Sequence, residues 1–296
     1  MATYQKIPDK TTLSRRKFFE KSGIMLIGIS AIGLIGFKTS KKKELRLIAY
    51  NVLKCTGYPS EKMTKKDQMP TLMAQELAKY NPDIINFSES PDESIVKEIA
   101  LKLKMNYVRF PSAGNWPGTI MTHFNIIESA NVPIINGGRP VDLFTRHWGK
   151  AKMQLPDNKS IIIHSAHLYP HNTTEAGAIR KREISLMLES ITYDLSNNNS
   201  VILMGDLNLS PELPEYKQLM NAHLIDSFAK IGKGDGFTIR ADKPNKRIDY
   251  IMACGPIADK IVESRPLSEG AFRTNVSDSE SFALSDHIPQ FAVFNL

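Results

Sequence analysis

The chain has 296 residues, of which 42% are hydrophobic, so it can bury a large core in one domain or in two smaller ones. Its formal net charge of +7 resembles that of a nucleic-acid-binding protein until the charge is divided along the chain. Residues 1–40 hold seven Lys and Arg against two acids, a net +5, which leaves +2 for residues 41–296. Because residues 41–296 are nearly neutral, the basicity of the whole chain is not evidence for a polyanionic partner.

The first 43 residues are predicted to be an export signal or anchor followed by a basic linker. A basic segment containing Arg15 and Arg16 precedes an apolar run at residues 24–37, which is too short for an ordinary membrane span. The arginine pair followed by Lys-Phe-Phe resembles the twin-arginine signal, which exports folded proteins. We therefore expect a periplasmic or extracellular protein. Because the one small-x-small cleavage site lies inside the apolar run, an uncleaved membrane anchor at residues 24–37 is the alternative.

Residues 44–296 show no internal repeat and no second composition regime, and we predict that they form one domain. Cys55 and Cys254 are its two cysteines, which is too few for a thiolate metal cluster. An exported protein could join them in a disulfide, and two buried free thiols are the alternative.

The predicted elements alternate between strands and helices in chain order. Apolar runs predict strands at residues 45–52, 83–89, 160–168, 201–207, 247–252 and 288–294. Between the second and third of these, short apolar runs alternate with turns and predict a β-rich region at residues 107–159, including 118–122, 132–135 and 151–155. Apolar residues at helical spacing predict helices at residues 70–80, 92–103, 173–195 and 214–220.

Six of the strands end in, or begin from, a side chain capable of metal or proton chemistry. Asp206 and Asn208 are the most informative, because alternate residues of an extended chain point to one side and so present an acid and an amide to one spot. Taken singly, each such residue is more often a turn cap, a solvated acid or a hydrogen-bonded core histidine. Gathered at one edge of a sandwich, they would form a single site: Asn51, Glu89, His167, Asp206 with Asn208, Asp249, and Asp286 with His287.

The donor types in this set indicate a hard divalent cation. Carboxylate and amide oxygens suit Mg²⁺, which takes one or two carboxylates and keeps several waters that a phosphate can replace. Zinc would favour clustered His or Cys, which the chain lacks. The residues therefore predict a Mg²⁺ site, with Mn²⁺ as a substitute ion.

Six motifs in this order resemble the endonuclease/exonuclease/phosphatase superfamily, which includes deoxyribonuclease I. The resemblance covers the chain from Leu45 to Leu296. It implies an α/β fold of four layers, in which two packed mixed β-sheets are flanked by helices. The motifs are Tyr50-Asn51, Asp83-Ile84-Ile85 leading to Glu89, His167-Leu168, Gly205-Asp206-Leu207-Asn208, Arg247-Ile248-Asp249-Tyr250 and Ser285-Asp286-His287.

The resemblance also implies a role for each position. The metal shell would consist of Glu89 as the main carboxylate, completed by Asn51 and Asp286. The attacking water would be oriented or deprotonated by Asp206, while Asn208 would hold that water or the phosphate. The phosphate oxygens would be contacted by His287, whose ring Asp249 fixes and keeps protonated, and by His167, which contacts the phosphate or assists the leaving oxygen.

Two departures from the family pattern lie beside these residues. Ser88 stands where members commonly have Gln before the metal Glu, and Ser165-Ala166 stands where many have Asn-Thr before the His. Both changes affect the surroundings of the site and its substrate contacts, and neither removes a residue of the predicted set.

We therefore predict a monomeric, exported, Mg²⁺-dependent hydrolase of phosphate esters, more specifically a phosphodiesterase. Nucleic acid, phospholipid and sugar phosphate all remain open as substrates, although charge does not favour nucleic acid. The rival interpretation is a membrane-tethered binding module that kept the fold and lost turnover. That rival is disfavoured because pseudoenzymes normally lose a charged residue of the site, and here all are present.

Overall fold

The computed structural model describes residues 3–5, 44–63, 66–275 and 277–296 of the chain. Of the predicted export segment, residues 1–43, only Thr3–Gln5 is described, and the arginine pair and the apolar run at 24–37 lie outside the described residues. Among the helices of the described part, none combines the length and the apolar character needed to cross a membrane.

The described residues form thirteen strands, five α-helices and several 3₁₀ turns. The helices are α1 Met69–Ala78, α2 Glu93–Leu103, α3 Thr174–Ser196, α4 Pro214–Asn221 and α5 Ser227–Ile231. The strands are β1 Thr3–Gln5, β2 Glu44–Asn51, β3 Ile84–Ser88, β4 Asn106–Phe110, β5 Gly118–Thr122, β6 Asn125–Asn131, β7 His147–Gln154, β8 Ser160–His167, β9 Ser200–Asp206, β10 Ile225–Asp226, β11 Asp249–Cys254, β12 Ile261–Pro266 and β13 Gln290–Asn295.

The strands assemble into two mixed sheets. One sheet has the order β1-β4-β5-β3-β2-β13-β12 and the other β10-β11-β9-β8-β7-β6. Each contains one parallel pair near its centre, β2 with β3 and β8 with β9, while the other pairings are antiparallel. Parallel strands end at the same edge, and an antiparallel neighbour begins there. Both sheets therefore bring several strand ends to one edge, as the motif order predicted.

Three hydrophobic clusters separate the four layers. Alternate residues of β2, such as Leu47 and Ala49, face the other sheet, whereas Ile48 and Tyr50 face the helices. The inner cluster joins these residues to Ile202 and other members of the second sheet. The two outer clusters contain residues of α1 and α2 on one side and of α3 and α4 on the other. The predicted α/β four-layer sandwich is thereby confirmed.

Several predicted elements differ from the observed ones. The apolar run at 132–135 is not a strand, because β6 ends at Asn131 and Val132 turns the chain with a φ of 46°. Helix α5 and the edge strand β12 were not among the predicted elements. Helix α5 is capped by Asp226, whose side chain accepts hydrogen bonds from the N–H groups of Phe228 and Ala229.

The two cysteines are free and buried. Cys55 belongs to the cluster beneath α1, and Cys254 belongs to the cluster beneath α3 on the opposite side of the sandwich. The second alternative, two buried thiols, is therefore the one observed. Burial raises the pKa of both thiols to about 12, so neither is a thiolate near neutral pH.

Candidate active site

The chemistry-bearing strand ends of both sheets meet at one edge of the sandwich. Asn51 ends β2 and Glu89 follows β3 in the first sheet, while His167 and Asp206 end the parallel pair β8 and β9. Asp249 begins β11 directly opposite Asp206 in the antiparallel register. This edge is hereafter called the catalytic cleft.

Gly205 determines how Asp206 enters the catalytic cleft. Its φ is +140°, and a Cβ added at this position would lie 2.0 Å from the carbonyl oxygen of Ala166 on the neighbouring strand. Only glycine allows the two strands to approach this closely. Asp206 then follows with its side chain buried, and its Oδ1 accepts the backbone N–H of Asn208 at 3.0 Å.

Asn51 connects the two sheets across the catalytic cleft. Its amide nitrogen donates to Glu89 Oε1 at 3.2 Å and to Asp206 Oδ2 at 3.0 Å. Its amide oxygen accepts the N–H of Leu53 at 3.1 Å. In this arrangement Asn51 fixes the orientation of both carboxylates, in addition to the place in the metal or water shell that the sequence predicts for it.

Glu89 presents a carboxylate with one unsatisfied oxygen. The residue has a φ of 49°, and its Oε2 is buried with no hydrogen-bond partner among the described residues. Burial raises the pKa of Glu89, and the nearby charge of Asp286 raises it further. A buried, unpartnered carboxylate oxygen beside a second acid is the arrangement that a divalent cation would stabilise.

His287 is held as a cation by Asp249. Its Nδ1 lies 2.8 Å from Asp249 Oδ2, and its Nε2 lies 3.8 Å from Asp206 Oδ2. Burial lowers the pKa of His287, but the charge and hydrogen bond of Asp249 outweigh that effect and raise it to about 10. The ring therefore carries a positive charge throughout the neutral range.

His167 differs from His287 in its charge. It is 2% exposed, and its Nε2 lies 3.6 Å from Asp206 Oδ2. Burial lowers the pKa of His167 well below its ordinary value, and the positive charges of Arg146 and His287 add to this effect. The neutral ring can donate a hydrogen bond to a phosphate oxygen without adding charge.

Asp206 lies within 4.0 Å of both histidines. Burial and the charge of Asp249 raise the pKa of Asp206 to about 7, although His287 and Asn51 act in the opposite direction. Asn208 lies beside it and anchors the turn, because its side-chain amide donates to the carbonyl of Leu168 at 3.1 Å. A carboxylate with this pKa can accept a proton from a water near neutral pH.

Two groupings of side chains could hold a metal ion. Ligand atoms of Asp206, Asp249 and His287 all lie within 4.8 Å of one another. However, Asp249 already binds the protonated His287 ring, which cannot coordinate a cation through that nitrogen. Glu89 and Asp286 have no such commitment, and their hard oxygen donors fit Mg²⁺ better than a softer metal.

The structure brings together all eight residues singled out in the sequence. It also places in or beside the catalytic cleft four residues outside the predicted set. His147 is fully buried beneath His167, with ring centroids 6.2 Å apart, and its Nε2 is 2.9 Å from Ser165 Oγ. The other three are Trp116 and the two cations that contact its ring, Lys54 and Arg146. None belongs to the six predicted motifs, although His147 begins β7, so only their local composition could have pointed to them.

The two departures from the family pattern contribute to the local hydrogen bonding. Ser88 is fully buried, and its Oγ accepts the N–H of Asp206 at 3.4 Å, a long contact that links the two sheets. Ser165 Oγ pairs with Nε2 of the buried His147 ring. Both replacements therefore support neighbouring residues of the site.

A comparison of the sequence with protein families decides which family this geometry belongs to. The endonuclease/exonuclease/phosphatase family profile matches residues 48–287, which covers most of the chain and every residue of the predicted set. The chain belongs to the endonuclease/exonuclease/phosphatase family. Its members are hydrolases of phosphate esters that use divalent metal ions, and the chain is accordingly a phosphate-ester hydrolase. No curated protein shows a significant sequence match.

Solved structures support the same fold. A family protein from Bacteroides thetaiotaomicron aligns with a TM-score of 0.67 at 18% identity, covering 86% of this chain and 98% of that one. A mannosyl-6-phosphatase from the same organism aligns with a TM-score of 0.66 at 18% identity, covering 85% and 99%. Truncated TDP2 of Caenorhabditis elegans gives 0.60 at 16% identity, covering 86% and 99%. At these identities the likeness concerns the fold.

Proposed function

We propose that the protein is an exported, Mg²⁺-dependent hydrolase of phosphate esters whose main substrates are phosphodiesters. One observation carries the proposal: Glu89, Asp206 and His287, which come from three distant segments, surround one catalytic cleft. Buried oxygens of Glu89 and Asp249 there have no partner among the described residues. Such orphaned polar atoms are costly unless a cation, water or substrate satisfies them.

Glu89 and Asp286 would hold the cation, with Asn51 fixing the Glu89 carboxylate and completing the shell of the ion or of its waters. When bound, the ion would supply positive charge to the phosphoryl oxygens. Hard oxygen donors favour Mg²⁺, and Mn²⁺ would substitute for it.

Asp206 orients the attacking water and accepts its proton. Its Oδ2 is already bound by Asn51, and its Oδ1 by the N–H of Asn208, so the carboxylate is held in one orientation. Asn208, two residues further on, would hold the water or a phosphate oxygen. A fixed base next to the phosphorus reduces the entropic cost of bringing the nucleophile into line.

The two histidines recognise the phosphate in different ways. His287 is charged and offers Nε2–H to a non-bridging oxygen, where negative charge increases as the water attacks. His167 is neutral and donates to the phosphate or assists the leaving oxygen. Together they provide one charged and one neutral donor around the same group.

Phosphomonoesters are the alternative substrate class and belong in the same test. The mannosyl-6-phosphatase that shares the fold acts, by its name, on a sugar phosphate. Nucleic acid remains a candidate diester, although residues 41–296 carry only +2. We expect no strong preference for duplex DNA, and efficient plasmid nicking at physiological salt would contradict that expectation.

Hydrolysis of bis-p-nitrophenyl phosphate tests the proposed reaction. We expect turnover with Mg²⁺ that EDTA abolishes, and a loss of about 10²-fold or more in kcat/KM for Glu89→Gln. Glu98→Gln, on the exposed face of α2, is the matched control and should retain wild-type activity. Absence of turnover on diesters, monoesters, sphingomyelin and RNA alike would instead favour the non-catalytic binding module.

Export is the part of the proposal that rests on residues 1–43 alone. Fractionation of cells that express the full chain should find it outside the cytoplasm, either free or bound to the membrane through residues 24–37. Replacing Arg15 and Arg16 by Lys keeps the charge but removes the guanidinium pair, and should retain the protein in the cytoplasm. Unchanged export of the double variant would contradict a twin-arginine signal.

A further inference from the structure

Two positive side chains contact one indole ring at the rim of the catalytic cleft. Lys54 Nζ lies 4.3 Å from the centroid of the Trp116 ring, and Arg146 Cζ lies 4.7 Å from it. The two charges are thus at most about 9 Å apart, the sum of those distances. All three side chains are only partly buried, so they remain accessible to a ligand. This group is called the cation pair.

Backbone hydrogen bonds attach the cation pair to the segment that carries Glu89. The N–H of Lys54 donates to the carbonyl of Glu89 at 2.9 Å, and the N–H of Ser90 donates to Pro117, the residue after Trp116, also at 2.9 Å. These contacts place Lys54 and Trp116 directly beside the carboxylate that would hold the cation.

A third backbone contact attaches the Trp116 loop to the strand entry that carries Arg146. The N–H of Gly114 donates to the carbonyl of Thr145 at 3.0 Å. A Cβ at Gly114 would lie 2.7 Å from that oxygen, so the close approach requires glycine. The loop is therefore held against both neighbouring segments, and the cation pair is fixed in place.

Neither cation has an acidic partner. In the described part of the chain, no carboxylate lies within 4.0 Å of Lys54 or Arg146, and the buried Nε of Arg146 has no hydrogen-bond partner. The two most buried arginines that form ion pairs are different, because Arg180 contacts Glu215 and Arg247 contacts Asp226. Two fixed, unpaired positive charges on one ring repel each other and attract an anion.

The need to neutralise the carboxylates of the catalytic cleft does not explain all three members of the cation pair. Burial raises the pKa of Glu89 while the charge of Arg146 opposes it, so Arg146 does offset part of the negative charge. That role requires neither a second cation nor an indole between the two. A ligand that uses both charges accounts for Lys54 and Trp116 together with Arg146.

We propose that Lys54, Trp116 and Arg146 form a second anion site, which binds a further phosphate group of the substrate next to the one that is hydrolysed. Arg146 contributes a planar fork suited to two phosphate oxygens, Lys54 adds a point charge, and Trp116 holds both in place. The inference rests on the proposed function and specifies its substrate class: a phosphate ester with two or more phosphate groups. The second phosphate comes either from a bisphosphorylated small molecule or from the next nucleotide of a single strand.

Binding of non-hydrolysable ligands tests the site without turnover. Calorimetry would compare propane-1,3-diyl bisphosphonate, propylphosphonate and a ten-residue oligothymidylate with phosphorothioate linkages, which resist hydrolysis, in excess Mg²⁺, using the full chain. We expect the bisphosphonate or the oligonucleotide to bind at least tenfold more tightly than propylphosphonate. In Lys54→Ala and Trp116→Ala that ratio should fall to within about threefold, whereas Trp116→Phe, which retains an aromatic face, should preserve most of it. Lys97→Ala, an exposed unpaired lysine on α2, is the control.

The outcomes separate the second anion site from the proposed reaction. If the affinity of the bisphosphonate relative to propylphosphonate falls in Lys54→Ala and Trp116→Ala, the second phosphate belongs to a small molecule. If the relative affinity of the oligonucleotide falls instead, it belongs to a nucleic-acid strand. A ratio near one in the wild type, or one unchanged in Lys54→Ala and Trp116→Ala, overturns the site even if bis-p-nitrophenyl phosphate is hydrolysed. Phosphonate discrimination without hydrolysis of any ester would instead overturn the proposed function and leave a phosphate-binding protein.

Discussion

The pair formed by Asp249 and His287 sets the charge that the catalytic cleft presents to a substrate. Burial alone would leave the imidazole neutral, as it does for His167 a few ångströms away. The carboxylate at 2.8 Å reverses that tendency. The two rings therefore carry different charges because only one has an acid on its second nitrogen.

Asp249→Asn tests this difference. The amide keeps a hydrogen bond but removes the charge, so the pKa of His287 should fall from about 10 towards its ordinary value near 6.5. Because the active ring is the protonated one, activity should be lost as the pH rises through that lower value. We expect kcat/KM at pH 7.5 to decrease about 10²-fold or more.

Measurement of kcat/KM from pH 5 to 10 with bis-p-nitrophenyl phosphate would check the shift. Asp235→Asn, in an exposed loop, is the matched control and should keep the wild-type profile. An alkaline limb that does not move in Asp249→Asn would show that the charge of His287 is not required.

At the scale of single residues, strand-end spacing was enough to find most of the site. Asp206 and Asn208 were recognisable because an acid and an amide two positions apart follow a fully apolar strand. Arg146 was not, because an arginine before a strand is common on any surface, and Trp116 could equally be a ligand contact or a packing residue. Their significance depends on a contact between segments that are distant in sequence, which no local pattern encodes.

At the scale of elements, helix α3 holds the loops on either side of the second sheet. Glu183 on α3 is fully buried and accepts the N–H of Phe144 at 2.7 Å and the N–H of Tyr169 at 2.9 Å. Phe144 lies two residues before Arg146, and Tyr169 lies two residues after His167. One carboxylate thus fixes the approach of two residues of the catalytic cleft, and we infer that Glu183 positions them.

Glu183→Gln should remove a pH-dependent part of the stability. Burial raises the pKa of Glu183 to about 7, so the folded state binds more protons than the unfolded state between about pH 4.5 and 7. This contribution is present below about pH 4.5 and is lost as the pH rises through 7, with a size on the order of 3 kcal/mol. Glutamine cannot titrate, and it leaves one N–H without an acceptor at a cost of about 1–3 kcal/mol.

Urea unfolding at intervals from pH 4.5 to 8 measures this effect as the difference between variant and wild type. That difference should change across the window for Glu183→Gln and stay constant for Glu189→Gln, an exposed residue on the same helix. Parallel curves for Glu183→Gln and wild type would mean that Glu183 does not titrate there.

Element prediction succeeded where periodicity and burial agreed. Strand β9 has apolar residues at four consecutive positions because helices cover one of its faces and the other sheet covers the opposite face. The run at 132–135 had the same composition but packs as a loop against the outer cluster that contains Leu143 and Trp148. An apolar run indicates that a segment is buried. Whether a short buried segment forms a strand or a loop depends on how the rest of the fold packs around it.

At the scale of the whole molecule, the order of the motifs predicted that the two sheets would meet at their polar edge. Sequence could not predict that Asn51 from one sheet would bond Asp206 from the other, because that contact spans 155 positions and depends on how the sheets are packed. The same packing concentrates four carboxylates at one edge: Glu89, Asp206, Asp249 and Asp286. Their mutual repulsion opposes folding unless positive charge is supplied.

A divalent cation should therefore stabilise the entire domain. A ligand that binds only the folded state at about 100 times its dissociation constant adds about 2.7 kcal/mol, which for a domain of this size corresponds to a Tm increase of roughly 5 °C or more. We expect this increase with Mg²⁺ in the wild type and its loss in Glu89→Gln, with Glu98→Gln behaving as the wild type.

Glu89→Gln should also raise the Tm of the metal-free protein, because it removes one of the repelling charges. Differential scanning calorimetry in EDTA and in Mg²⁺ measures both effects. Equal Mg²⁺ stabilisation of Glu89→Gln and wild type would exclude Glu89 from the metal site and move the cation to the group formed by Asp206, Asp249 and His287.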